Sequence, residues 1–522
     1  MKRSEHLHQL IKSLSKSEKR SFKLYANRHT IGEKNNYIQL FDAIDKQEEY
    51  DEAILIKKLK DEKLTNNLSS VKVQLYNLIL KNLRQYNPTN KTTYELRMQM
   101  DYIDILFEKG LYNQCKKVLK KAQETARKYE KYIIIDALSI YEYEIAIKES
   151  NFDDIQNYIN ITFPEVKKIR NTNEILAEYE YLLASIKLLA LKSNRTGLTI
   201  DKSKFEKLVQ HELLKADVNS QPYRCQIDHH TIWGYYYNVM GGQEKTYFHR
   251  KKVLDLIEEN PNEMSEYPKE WIFHARNLLG GLGRFKMFEE FDIEQHRIRG
   301  IIDKISETKK TQNLNAEIYN TIYNVKLDMD IDRGLFKQSS TYAKEAQIHF
   351  KTYENQIDLN SQMVIYFNFS YAYLGNGEYQ KALLWVNKLI NNNYGNVRMD
   401  AQCMSRIMNI VIHYELGNYE IISSLIRSTN RFLVKVDRKF EFETSFLKFA
   451  NKHFQNKYYP EQQNSFQNEI DNLTKIAKNP FEKKGIEFFD VISWLKTKTE
   501  NKTMEEIISR KVTKERFHRG IM

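Results

Sequence analysis

"YLGNGEYQKALLWVNKLI", running from Tyr373 to Ile390, sets two glycines, an aromatic, a small residue and an apolar stripe within one short stretch. Upstream of it, Val364, Phe367, Tyr371 and Leu374 recur at steps of three and four, the spacing that gathers side chains on one face of a helix. Tyr379, Leu383, Val386 and Ile390 do the same downstream. The "GNGE" between them predicts a chain reversal, because Gly375 and Gly377 can take the positive φ that ends one helix, while Ala382 lets two helices cross closely. One hairpin of this kind cannot bury its own stripe, so it predicts further hairpins stacked against it.

Such hairpins recur along the chain. A glycine two positions before an aromatic, flanked by helical spacing, is found at Gly110 and Tyr112, Gly283 and Phe285, Gly334 and Phe336, and Gly417 and Tyr419. Asparagine replaces the glycine at Asn151 before Phe152 and at Asn456 before Tyr458, and weaker matches surround Phe205 and Tyr247. Neighbouring anchors lie 38 to 53 residues apart, a period that suits pairs of helices with variable loops and not short β-strands. Gly and Pro number only 17 and 7, so little interrupts helix formation. The chain is expected to be all-α.

The best of these units resembles a tetratricopeptide repeat. It supplies Tyr366, Phe369, Ser370, Tyr373, Gly377, Tyr379 and Ala382 at the positions of that family's pattern, with serine for the packing glycine and Tyr394 for the terminal proline. The likeness covers roughly residues 95–475. It implies an α-solenoid, a right-handed superhelical array of antiparallel helix hairpins, over residues 91–480. Its implied function is protein binding along the concave face. The family's carboxylate clamp needs lysine and asparagine where Phe367 and Tyr371 stand, so recognition of chaperone tails is not expected.

The repeat pattern is missing from residues 1–90, which read instead as a basic N-terminal helical bundle or cap. Ser15 and Glu18 have capping-box spacing ahead of Phe22 and Tyr25, and three further helical segments follow before Pro88. Residues 481–522 read as one capping helix through Phe489 and Trp494 and then a polar, fraying tail.

Bulk composition narrows the function classes. Net charge is +12, and residues 1–90 hold 17 Lys and Arg against 11 Asp and Glu, about half of the excess. That permits contact with nucleic acid or anionic surfaces without requiring it. Cys115, Cys225 and Cys403 have no metal-ligand or disulfide spacing, and no signal peptide or membrane-spanning run is seen, so a cytoplasmic protein is expected.

Clusters with chemical potential read mostly as structure. Asp228, His229 and His230 lack the spacing to share one metal, since adjacent helical residues diverge by about 100°. The glycines at 241–242 and 280–283 lack a Walker lysine and a preceding strand, and they read as hairpin turns. In "TIWGYYYNVM", Trp233, Tyr236, Tyr237 and Met240 share a core face, and Tyr235 lies off it.

The expected function is therefore a non-enzymatic scaffold, with no catalytic residues, cofactor or metal, whose groove takes a peptide or partner helix. Tyr235, Asn238, Asn368 and Tyr371 are the candidate groove residues, taken as exposed positions on first helices. The alternative is a regulator whose basic N-terminal helices contact nucleic acid while the array senses a peptide. Lys72, Lys81 and Arg84 would meet phosphates, but their helix is heavily apolar through Val71, Leu75, Leu78, Ile79 and Leu83.

Overall fold

A computed structural model describes residues 3–28, 35–59, 65–86, 92–195, 202–308, 312–392, 394–395, 397–436 and 440–518. Pro88 and part of the predicted helix over 51–64 lie outside them. Among the described residues there is helix and no strand, and no helix is long and apolar enough to cross a membrane. The chain forms two compact units, residues 1–171 and 172–522.

The first unit opens with α1 (Arg3–Ser13), α2 (Lys16–Arg28), α3 (Asn36–Asp45), α4 (Glu52–Lys58) and α5 (Leu68–Tyr86). Ser15 and Glu18 cap α2 reciprocally: the Glu18 N–H donates to Ser15 Oγ at 3.2 Å, and the Ser15 N–H donates to Glu18 Oε2 at 2.8 Å. Phe22 and Phe41 meet at 4.8 Å in a core completed by Ile11, Leu40, Leu75 and Ile79. Lys72 is buried on the apolar side of α5 and pairs with Glu52 at 3.0 Å. Arg84 pairs with Asp101 at 2.8 Å.

Three long helices follow, α6 (Thr92–Glu108), α7 (Tyr112–Lys128) and α8 (Tyr132–Lys148), then α9 (Phe152–Asn157), a π turn over Tyr158–Thr162, and α10 (Phe163–Arg195). Leu96, Ile103, Leu119, Ala122, Leu138 and Ile145 interlock α6 to α8.

The second unit runs through α11 (Lys202–Val209), α12 (Tyr223–Met240), α13 (Gln243–Glu258), α14 (Pro261–Glu266), α15 (Pro268–Arg284) and α16 (Phe288–Thr308). Then come α17 (Gln312–Tyr319), a π turn over Asn320–Asn324, α18 (Val325–Asp332) and α19 (Phe336–Tyr353). Next come α20 (Leu359–Gly375), α21 (Tyr379–Asn391), α22 (Met399–Glu415), α23 (Tyr419–Lys435), α24 (Glu441–His453) and α25 (Gln463–Ile476). From α18 to α25 each helix packs on its successor, and first helices also pack on one another: α15 on α18, α18 on α20, α20 on α22.

One turn is used repeatedly. After α20 the Gly377 N–H donates to the Leu374 carbonyl at 3.0 Å and the Glu378 N–H to the Tyr373 carbonyl at 2.8 Å, with Gly377 at φ +75. This pairing satisfies the last carbonyls of a helix while reversing the chain. The same pair of bonds closes the turns at Gly110, Gly334 and Gly417, and at Glu130, Ser150 and Lys286, where a side-chain-bearing residue takes the left-handed φ. Gly283 and Phe285 therefore do not form the turn. Gly280, Gly281 and Gly283 belong to α15, Lys286 makes the reversal, and the following helix starts at Phe288.

Gly375 is helical, without a positive φ; it is small because the ring of Phe336 occupies the space a Cβ would take. The buried face of α21 is Ala382, Trp385, Val386 and Leu389, one step away from the expected stripe. Trp385 draws it round by packing on Phe369 at 4.8 Å and Tyr366 at 5.7 Å.

The C-terminal residues form three helices, α26 (Pro480–Phe488), α27 (Val491–Glu500) and α28 (Met504–His518), in place of one helix and a frayed tail. Phe489 lies at a break, and Asp490 caps α27 by accepting from the Ser493 N–H at 2.9 Å. These helices turn back over the first helices of earlier repeats. Phe488 packs on Phe367 at 4.5 Å, Phe489 on Tyr371 at 5.2 Å, and the Trp494 indole donates to Glu415 at 2.6 Å. Glu505 accepts from the Lys337 N–H at 2.9 Å, so α28 reaches back to the start of α19. Met504, Ile507 and Ile508 are buried, which is why this polar-looking segment is held in place.

Candidate ligand-binding site

Four successive helix pairs of the second unit contribute to one cavity of about 340 Å³. Asn238 comes from α12, Asn277 from α15, Asn324 from the π turn before α18, and Asn368 from α20. Each stands on the first helix of its pair, so the carboxamides recur at the repeat period. Asn368 Nδ2 donates to Asn324 Oδ1 at 2.8 Å, and Asn324 Nδ2 to Asn320 Oδ1 at 3.2 Å, which ties neighbouring first helices together.

Arg250, Arg276 and Arg284 line the same space. Arg276 is paired with Glu317 at 3.1 Å. Arg250 starts from α13, the second helix of its pair, and reaches the cavity by passing between α12 and α15. Its Cγ lies 3.3 Å from where a Cβ would stand on Gly234, and its Nη1 fills the place of a Cβ on Gly281. A Cβ on Gly281 would displace this guanidinium, and one on Gly234 would press on the stem of the side chain. The guanidinium donates to the Asn277 carbonyl, and burial draws its pKa down to about 10.

Asp328 also lines the cavity. It keeps solvent contact, yet the surrounding protein withdraws enough water to push its carboxyl up to about 6, against the pull of Arg398. Tyr235 stands beside the site: burial raises its phenol, and the nearby Arg250 and Arg276 lower it.

Of the four candidate groove residues, Asn238 and Asn368 line this cavity and Tyr235 neighbours it. Asn368 and Tyr371 are buried, at 3% and 5% exposure, and so are not the exposed positions expected. Tyr371 lies in the core against Phe336 and Phe489, covered by the C-terminal helices. The arginines, Asn277, Asn324 and Asp328 were missed. The recurrence of Asn on first helices was available as a signal; the approach of Arg250 from a second helix was not.

A second depression of about 430 Å³ beside α19 is lined by Lys337, Tyr342 and Glu505, and the Lys337 N–H to Glu505 bond already spans it. It has no comparable convergence of charge.

The histidines form a separate cluster. His229 and His230 are buried, and His230 Nδ1 meets His249 Nδ1 at 2.9 Å. The His249 ring stacks with Tyr237 at 5.6 Å and Trp233 at 6.1 Å. Burial depresses His229 and His230 to about 4 and His249 to about 3. Among the described residues no group of three or more His, Cys, Asp or Glu is placed to hold a metal ion. No family model matches the chain, and no curated protein matches it in sequence.

Proposed function

We propose that this chain is a non-enzymatic scaffold of tetratricopeptide-like repeats, wound as a right-handed superhelix, that binds an extended peptide or partner helix on the concave face made by its first helices. The observation that carries the reading is the cavity lined by one asparagine from each of four successive helix pairs, Asn238, Asn277, Asn324 and Asn368, the last two already bonded to each other. A carboxamide both donates and accepts, which matches the alternating N–H and C=O groups of an extended backbone. Repeat proteins bind chains in this manner because the period of the array matches an elongated ligand.

Of the three basic residues of the nucleic-acid reading, Lys72 and Arg84 are engaged by Glu52 and Asp101, and Lys81 is exposed. The test is affinity purification from the native cell, with the full-length chain and its Asn324→Leu variant as baits. A protein held by the first and lost by the second is the expected result; a set of proteins equally retained by both would overturn the assignment to this cavity.

A further inference from the structure

The charges of the first unit are sorted between its helices. Over Tyr112–Lys128, α7 carries five Lys and one Arg against Glu124 alone. The helices packed on it are acidic: α6 has four Asp and Glu against Arg97, and α8 has three against Lys148. Together the three helices are neutral, so a general surplus of lysine in the chain does not account for α7.

Within α7 the excess lies on one side. Lys117, Lys120, Lys121 and Lys128 fall within an arc of about 100° of the helix, opposite the buried Cys115, Leu119, Ala122 and Ala126. All four are exposed, and none makes an ion pair among the described residues. The other two basic residues of α7 are answered at its edge, Lys116 by Glu149 and Asp154 at 2.6 and 2.9 Å and Arg127 by Glu165 at 3.1 Å. Glu124 stands among the four lysines and leaves their face with three charges in excess. Like charges three and four residues apart work against a helix, and a face that needed only to stay in water would mix its signs.

The composition of this face selects its anion. Besides the lysines and Glu124 it carries Asn113 and Gln114, both exposed. It has no apolar side chain to sink into a lipid surface, no aromatic ring on which single-stranded bases could stack, and no apolar centre of the kind protein interfaces have, where lysine is depleted. Lysine and carboxamide side chains do meet the phosphates of a duplex, without reading its bases. Lys117 and Lys128 stand about 16 Å apart along the helix, the rise of about five base pairs. We propose that the outer face of α7 holds the phosphate backbone of double-stranded nucleic acid, whatever its base sequence, through Lys117, Lys120, Lys121 and Lys128. This site is independent of the peptide-binding reading and of the basic residues of α5.

The full-length chain is titrated into a fluorescent DNA duplex of about 20 base pairs at a series of salt concentrations, and anisotropy is read. Binding is expected, with log K falling against log salt at a slope of about −3 to −4 for four phosphate contacts. Replacing the four lysines together, Lys117→Gln, Lys120→Gln, Lys121→Gln and Lys128→Gln, should weaken binding at low salt at least about tenfold and remove most of that slope. Circular dichroism should not change, because the four side chains are in solvent. Lys351→Gln, Lys448→Gln, Lys457→Gln and Lys475→Gln together remove the same charge from exposed positions of the second unit, and should leave binding within about twofold. No duplex binding even at low salt, a loss no greater in the first variant than in the second, or a preference for phosphatidylserine vesicles or polyglutamate over the duplex overturns the proposal.

Discussion

The phenol oxygen of Tyr371 accepts a hydrogen bond from the backbone N–H of Asp490 at 3.1 Å, joining the middle of a repeat helix to the cap of a helix 119 residues later. Around it, Phe488 and Phe489 cover Phe367 and Tyr371, and Trp494 covers Tyr414 and Phe454. The C-terminal helices thus seal apolar surface on α20, α22 and α24 that would otherwise meet water.

Ending the chain after Asn479 should therefore expose a continuous aromatic face and give a protein that aggregates and binds a hydrophobic dye. Size-exclusion chromatography with light scattering checks this, and a monomeric, cooperatively melting truncation would contradict it. The milder Tyr371→Phe, which leaves the buried Asp490 N–H without its acceptor, should cost about 1 to 3 kcal/mol in denaturant unfolding.

Lys286 and Ser150 take the left-handed φ that Gly377 takes in the corresponding turn. A side chain there costs about 1 kcal/mol. Lys286→Gly and Ser150→Gly should each stabilise the chain by about that amount, and Gly377→Ala should destabilise it similarly; chemical denaturation reads both signs.

Gly375 faces the ring of Phe336 with no room for a methyl group. Gly375→Ala is expected to lose about 1 to 3 kcal/mol through overpacking. Pairing it with Phe336→Leu should recover part of that loss, because the smaller side chain vacates the contested space; strictly additive losses would argue against the contact.

The histidine cluster predicts acid sensitivity. His230 and His249 are held below their ordinary value, chiefly by burial, then by the neighbouring histidines, His229 for the first and His230 and His229 for the second, and last by Lys252 and Lys245 respectively. The unfolded chain takes up these protons first, so the stability is present above about pH 6.5 and declines as pH falls toward 4. Asp328, raised to about 6, acts in the opposite sense. The difference between wild type and His249→Phe isolates the cluster: the variant's melting temperature should fall less steeply between pH 7 and 4.5.

Much of the architecture was legible because turn chemistry is local. A glycine two residues before an aromatic marks the reversals at Gly110, Gly334, Gly377 and Gly417, since the left-handed φ and the first packing residue of the next helix lie side by side in sequence. The reversal at Lys286 was misplaced onto Gly283 because a lysine gives no such signal. What was not legible depends on distant packing. The burial of Tyr371 follows from Phe489, and Arg250 acquires its meaning only from Gly234 and Gly281 on two other helices. Asn238 and Asn368 could be picked out as polar residues on first helices, but their meeting in one cavity with Asn277 and Asn324 required the fold.

The central claim, that a peptide lies along the first helices of the second unit, is tested most directly by hydrogen–deuterium exchange of the full-length chain with and without a partner recovered by the affinity purification. Slowed exchange is predicted in α12, α15, α18 and α20 together, around Asn238, Asn277, Asn324 and Asn368. Unchanged exchange in those four helices, with protection confined to other parts of the chain, would contradict it.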